Sequence, residues 1–597
     1  MNDIIKKLIV STICSTMIAV PCVSCAQSES SAASAEPPGS EMPGGGAPPD
    51  GAPGGAPGQS SDSVSWTGAS KITSVATENG KTYSSTTASE NALLVDTSDD
   101  VTLTNVAVTK TGGSSAGDSE SFYGTNSAVM CKGGGTTTIK NAKITTDASG
   151  ANGVFCYGGN ASTNAASGDG TTVNISDSTI KTTGDGSGGI MTTGFGTTNA
   201  SDLTITTAGR SSAAIRSDRG GGFVNVDGGS YTTSGVGSPA IYATATINVK
   251  NATLSTTASQ GVVNEGGNTV ILENCTINAA NEQLNSQDYF RNGIFLYQSM
   301  SGDASEGASV FTMTGGTLNN SIGHVFHVTN TSAAITLEGV KINNTDTENV
   351  LLSVCSDAWS GLNNKASVNA KDQTLSGTML VGSDSELELD LKGTSVWTGT
   401  TSGKIISHKD SSTVSSSLGT VDITLEDEAL IVLTEDTTVS SISGTGKINY
   451  NGHKLTVGNK TYTSGNPGVS TITETTETAS DRNNESSESS EDSSEKKDQT
   501  MSVSSASAKT YKAAKVKKAA KTFKAVTVKN AEGNVTYKVT GNKKSKRYLS
   551  FNSKTGKITV KKGTPKGTYR LKIKVTASGN SSCKSSSKTV TVTVKIK

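Results

Sequence analysis

The residues able to do chemistry are sparse in this 597-residue chain, and few stand together. Asp99 and Asp100 form a carboxylate pair, but ahead of the main repeats and without partners. Asp185, Arg216, Asp218 and Arg219 fall in or beside adjacent repeats. An arginine there abstracts a proton only with a depressed pKa and a carbon acidified by a bound cation. A salt-bridged, solvated turn is the plainer reading. His324 and His327 lie three apart on a predicted strand, on opposite faces, and make poor joint ligands. No Cys or acid spacing completes a zinc set around them. In Asp384-Ser385-Glu386-Leu387-Glu388-Leu389-Asp390 the acids share one face and the leucines the other. That row reads as a solvated face, with calcium the cation it would take if it held one. No catalytic residue, metal ligand set or cofactor is assigned on these grounds. Cys131, Cys156, Cys275, Cys355 and Cys583 are odd in number and widely spread, which suits small buried hydrophobes rather than a disulfide framework.

A stronger signal points outward from the repeats. Val129, Val154, Ile190, Ile215, Ile241 and Val263 form an apolar column. If the column faces inward, Met130, Phe155, Met191, Arg216 and Tyr242 face outward in register. They then make an exposed ladder on an otherwise polar surface, and such a patch marks an interaction site. The insertion from Asn281 to Ser309 adds Tyr289, Phe290 and Arg291, with Phe295 and Tyr297, and long insertions of this kind are often functional. Met130, Phe155, Met191, Arg216, Tyr242, Tyr289, Phe290 and Arg291 are therefore the candidate ligand-binding residues. Either sugar rings stack on them, or the insertion folds back and hides the ladder.

The elements that must position this ladder are repeats. Thr102-Leu103-Thr104-Asn105, Thr138-Ile139-Lys140-Asn141, Asn174-Ile175-Ser176-Asp177 and Asn248-Val249-Lys250-Asn251 are versions of one unit. Each is followed by a second apolar residue: Val108, Ile144, Ile180 and Leu254. The Asn/Asp/Gly column steps from 177 to 202, 228, 251 and 274. Asn tolerates the left-handed backbone of a turn, and stacked amides can hydrogen-bond along the axis. Asp177 and Asp202 occupy that column and read as structural. Short strands recurring about every 24 residues pair best with their equivalents one turn on, as a parallel β-helix. Roughly a dozen coils at about 4.8 Å make a rod on the order of 60 Å long. Helices should be nearly absent. A narrow coil also accounts for 33% hydrophobic and only 4% aromatic residues.

The pattern over about residues 66–465 resembles the right-handed parallel β-helix superfamily, which includes pectate lyases, polygalacturonases and bacterial surface adhesins. Its texture is similar to the repeat-containing surface proteins of Gram-positive bacteria. The resemblance implies fold, and function only loosely. The polygalacturonase motifs are incomplete here: Gly323-His324 is followed by Val325, and no Arg-Ile-Lys occurs.

The rest of the chain divides by composition. Lys6 and Lys7 precede the apolar stretch Leu8 to Val20, which reads as a signal peptide over residues 1–26. Cleavage after Ala26 and lipidation of Cys25 are both open readings. Residues 27–63 form a disordered Pro/Gly/Ser tether, 64–470 the β-helix and 471–505 an acidic Ser/Thr linker. Residues 506–597 hold 23 Lys and 2 Arg against one acid, Glu532. Their alternating strands read as a small β-sandwich, similar to Lys-rich bacterial immunoglobulin-like or cadherin-like modules. The net charge of −1 is thus a cancellation between an acidic rod-plus-linker and a basic tail. The fold class is all-β: a right-handed parallel β-helix and a small β-sandwich joined by disordered linkers. The sequence predicts an exported, extracellular, non-enzymatic, adhesin-like protein. Its expected partners are glycans or cell-surface proteins on the solenoid faces and anionic wall polymers on the basic module. Nucleic acid is not among them, and a membrane enters only through a lipid on Cys25. The alternative is a polysaccharide lyase or glycoside hydrolase acting on acidic polysaccharide.

Overall fold

The computed structural model describes residues 64–468, 497 and 500–597, apart from 114–116, 163–164, 286–287, 507, 532–534, 541–542, 553–555 and 578–585. The calls on the signal peptide, Cys25, the tether, most of the acidic linker and Cys583 lie outside these residues.

Residues 64–468 coil as a parallel β-helix. Each turn adds one strand to each of three sheets. The first sheet has 13 strands, from Gly68–Ile72 to Thr401–Ser402. The second has 14, from Ala76–Asn79 to Ser441–Gly444, and the third has 11, from Thr82–Ser85 to Lys341–Asn344. The pairing is parallel and in register where the repeat predicts it. Ile139 pairs with Ile175, and Ile144 with Ile180. The interior is a stack of aliphatic side chains, each stabilising the fold by about 1.5–3 kcal/mol on burial. On the first sheet the inward row runs Val129, Val154, Ile190, Ile215 and Ile241, then Val262. The expected Val263 is one residue out of phase: it pairs with Tyr242 and faces outward. Large rings do enter the coil, since Tyr231, Phe311 and Trp397 are fully buried.

The Asn/Asp/Gly column is a column of left-handed turns. Asn105, Asn141, Asp177, Asp202, Asn251 and Asn274 all have φ between 50° and 55°. A β-branched side chain is strained in that region, so Asp177 and Asp202 are explained by backbone geometry alone. A second amide ladder runs along the outer face of the second sheet. Asn199 donates to Asn174, Asn225 to Asn199 and Asn248 to Asn225, each at 2.9 Å.

The C-terminal module packs two sheets around one apolar core. One has the strand order Lys509–Tyr511, Ser586–Ile596, Gly567–Ala577, Val535–Thr540. The other comprises Lys521–Lys524, Lys557–Val560 and Leu549–Asn552. Val516, Val560, Leu571, Ile573 and Val592 meet between them. The module starts earlier than its composition suggests: Ser502–Ser505 pairs with Val526–Lys529, inside the range read as linker. Among the described residues helix is limited to three segments of six residues each, Asp118–Tyr123, Ala513–Lys518 and Lys543–Tyr548. Among the described residues no helix is long and apolar enough to cross a membrane.

Candidate functional site

Strand alternation carries the inward row and, beside it, an outward one. Leu94 pairs with Met130, Met130 with Phe155, Phe155 with Met191, Met191 with Arg216 and Arg216 with Tyr242. The row continues through Val263, Phe295, His327 and Ser353 to Leu380. The ladder is therefore real, in the expected register, and longer than expected. Of the two readings, an open ladder and a hidden one, the structure shows the hidden one. Met130, Phe155 and Met191 are 0% exposed and Arg216 is 5% exposed. Phe290 is fully buried, and Tyr242, Tyr289 and Arg291 are half-buried. The physical reason is a series of inserted segments laid over the row, each hiding apolar area that the coil leaves on its outside.

At the apolar end the cover is the turn of helix Asp118–Tyr123. Phe122, Tyr123 and Trp66 cluster with Met130, Phe155 and Met191. Gly124, at φ 68°, ends the helix, and a Cβ built there would lie 2.5 Å from the Phe155 ring. Only glycine lets the cover come that close. Thr193 Oγ1 donates to Phe122 O at 2.7 Å, and Trp66 Nε1 to Tyr123 O at 2.6 Å.

The middle of the row is a buried polar network. Glu265 accepts hydrogen bonds from the hydroxyls of Tyr242, Tyr297 and Ser299, the Tyr297 bond being 3.0 Å. Burial pushes its carboxyl up, and these hydroxyls pull the other way. Arg216 Nη2 meets Asp218 Oδ2 at 3.0 Å, with both side chains almost wholly buried. Arg219 Nε meets Asp303 at 2.9 Å and stacks 4.0 Å over the Phe122 ring, pinning two covering segments to one coil. Burial, then Asp303 and Glu265, push Asp218 up to about 7 against the pull of Arg216. A carboxyl raised in the fold stabilises it below its unfolded pKa of 3.8, and that stabilisation is lost as pH rises toward about 7. His324 has the opposite sign: burial holds it well below 6.5, so its contribution is present above pH 6.5 and lost below. Asp218→Asn is thus expected to remove a decline in stability, on the order of 1–4 kcal/mol, between pH 4 and 7. Urea midpoints of both proteins across that range measure it; parallel pH profiles would refute it.

At the far end His324 and His327 are brought together, not apart. Val325 and Phe326 both enter the core, so the strand advances two residues without alternating, and both imidazoles emerge on the outside. Each places Nδ1 2.7 Å from Ser353 Oγ. Asp357 accepts backbone N–H bonds from Tyr289 and Ala358 on one oxygen, and its other oxygen lies 3.0 Å from His327 Nε2. His327 then donates to Asp357 and accepts from Ser353, while His324 donates to Ser353. Phe290 packs against His324, His327 and His408 at ring-centroid distances of 5.1, 5.0 and 5.6 Å. The Ser353, His327 and Asp357 side chains resemble a nucleophile, base and orienter, but all three are buried.

His324, Glu348 and His408 also place ligand atoms within 4.8 Å of one another. His408 Nδ1, however, accepts the backbone N–H of Arg291 at 2.9 Å. That fixes the proton on Nε2, which donates to Glu348 at 3.0 Å and has no lone pair for a metal. His408, on the hairpin Lys404–Ser416, thus latches the insertion through Arg291 and the turn at Glu348, while His324 Nε2 lies 3.8 Å from Glu348 without a hydrogen bond.

The remaining candidates are plainly engaged. Asp99 accepts from the Val75 N–H at 3.1 Å, and Asp185 from the Arg210 N–H at 2.7 Å. Along the acidic row, Lys365 lies 2.9 Å from both Glu386 and Glu388, and Lys392 lies 3.5 Å from Asp390. Cys131, Cys156, Cys275 and Cys355 are free and buried. Ser353 and Glu265 lie on the first sheet's strands beside the periodic row and are legible there, whereas Phe122, Trp66, Asp357 and His408 come from aperiodic segments with no sequence signal. Comparison with family models, with curated proteins and with solved structures finds no match.

Proposed function

We propose that this chain is an exported, adhesin-like surface protein without catalytic activity. Its solenoid binds carbohydrate and its basic C-terminal module holds anionic surface polymers. The observation that supports this most is the contrast between two outer faces. The first sheet is covered, whereas the second leaves its amide ladder open. Asn199, Asn225 and Asn248 line a shallow groove with Ile271 and the Asp227–Lys250 pair. Phe223 and Ile271 beside it are each 40% exposed. Each ladder amide uses one N–H on its neighbour and keeps the other for a sugar hydroxyl, while Phe223 offers a ring to a sugar face. Against a lyase, Arg216 and Arg219 are committed to Asp218 and Asp303 rather than held open to a substrate. The intact protein on a glycan array is expected to bind at least one class of glycan. Asn225→Ala, at the centre of the ladder, should weaken that binding at least tenfold while changing stability by less than about 1 kcal/mol. Polygalacturonate incubated with the protein and calcium should yield no new unsaturated or reducing ends; their appearance would overturn the reading.

A further inference from the structure

In the C-terminal module, one sheet face carries nothing but hydroxyls and cations over most of two strands. Along Gly567–Ala577 the burial alternates strictly. Tyr569, Leu571, Ile573 and Val575 face the core, and Thr568, Arg570, Lys572 and Lys574 face out. The neighbouring strand Ser586–Ile596 turns Val592, Val594 and Ile596 inward and Thr589, Thr591, Thr593 and Lys595 outward. Thr593 stands opposite Arg570, Thr591 opposite Lys572, Thr589 opposite Lys574 and Lys595 opposite Thr568. Alternate residues on a strand are about 6.8 Å apart, and diagonal neighbours across strands about 7–8 Å. Lys595, Arg570, Lys572 and Lys574 therefore form one line of cations at nearly constant spacing, flanked by threonine hydroxyls.

We propose that this line is a binding site for a polyol-phosphate chain, the class of polymer in which phosphodiesters are joined by three-carbon units. The inference rests on the reading of the module as a polyanion holder and assigns its site and ligand. The match is one of backbone arithmetic. Two residues of extended peptide contain six backbone bonds and span about 7 Å. A polyol phosphate linked through three carbons also has six backbone bonds from one phosphorus to the next, so its charges recur at the same interval when extended. Arg570 offers a fork to two phosphate oxygens, the lysines offer point charges, and the threonines donate single O–H bonds. Single-stranded nucleic acid shares the six-bond repeat. Its sites, however, add aromatic platforms for the bases, and the outward positions of these two strands hold no aromatic residue.

The test uses the full chain and synthetic poly(glycerol phosphate), with polygalacturonate and oligo(dT) of equal charge as competitors, over a range of salt. The triple variant R570T/K574T/K595T removes three of the four cations and keeps strand-forming residues. It is expected to weaken poly(glycerol phosphate) binding at least tenfold and to lower the log–log salt slope by about 2. The control K515Q/K517Q/K518Q, on the helix Ala513–Lys518, should change affinity less than threefold. R570K/K574R/K595R keeps the charges and should keep the affinity, which guards against loss through misfolding. Equal losses in the triple variant and the control would overturn the assigned site while leaving the module a polyanion binder. Tighter binding of polygalacturonate or oligo(dT) would overturn the ligand class. No binding to any of the three would overturn the underlying reading as well.

Discussion

Phe155→Ala is expected to destabilise the solenoid by about 3–5 kcal/mol, although the sequence marks Phe155 as an outward residue on a polar coil. The ring is 0% exposed and lies in register between Met130 and Met191. Gly124 rests against its face, and Phe122 and Trp66 belong to the same cluster. Truncation leaves a void that these neighbours cannot collapse into. The helix above is held by backbone acceptors at Phe122 and Tyr123, and the strands below are locked to both adjacent coils. Phe223→Ala is the internal control. That ring is 40% exposed on the second sheet, and its loss should cost less than about 1 kcal/mol. Equilibrium urea unfolding of the two variants measures the difference. A cost below about 1 kcal/mol for Phe155→Ala would mean that the cover does not stay closed in solution, and that the ladder is open to a partner after all.

That contrast marks what the sequence can and cannot disclose. Period, inward column and left-handed turns are local properties, repeated every coil, so residues such as Ile144, Ile180 and Asp202 are placed correctly from pattern alone. The outward row is legible for the same reason. Its cover is not, because each covering group is supplied once, from far away. Trp66 bonds to Tyr123, 57 residues on, and the Arg291 N–H bonds to His408, 117 residues on. Two phase errors have a simpler origin. Val263 is misplaced because the step from Ile241 to its partner Val262 is shorter than the preceding ones, and the pair His324/His327 because strict alternation breaks at Val325-Phe326. One extra residue on a strand moves every later side chain to the other face. Along Gly567–Ala577 alternation holds without interruption, and the cationic line can be read from the sequence once the strand pairing is known.

The second large effect concerns the charged rungs. Arg216→Ala is expected to cost about 3–5 kcal/mol at pH 8, because it strands the buried Asp218 carboxylate without its partner. The guanidinium contacts Asp218 at 3.0 Å and the Arg219 backbone N–H donates to its other oxygen at 3.1 Å, while Asp303 and Glu265 add repulsion. The penalty should shrink on acidification. Without Arg216 the Asp218 carboxyl goes further up and folds as the neutral acid, so at pH 5.5 the variant should recover a large part of the loss. Replacing both partners by apolar residues, as in Arg216→Met with Asp218→Leu, removes the buried charge together with its desolvation cost. That double variant should therefore lie within about 1–2 kcal/mol of the parent at both pH values. The cycle of singles and double, read from urea midpoints at pH 5.5 and 8, separates two roles for the rung. If the double variant is as unstable as Arg216→Ala and equally insensitive to pH, the guanidinium acts through packing against its neighbours rather than through its charge. If the pH dependence follows the single variants only, the middle of the ladder is an electrostatic clasp, tightened by burial under the same inserted segments that hide Met191 and Phe155.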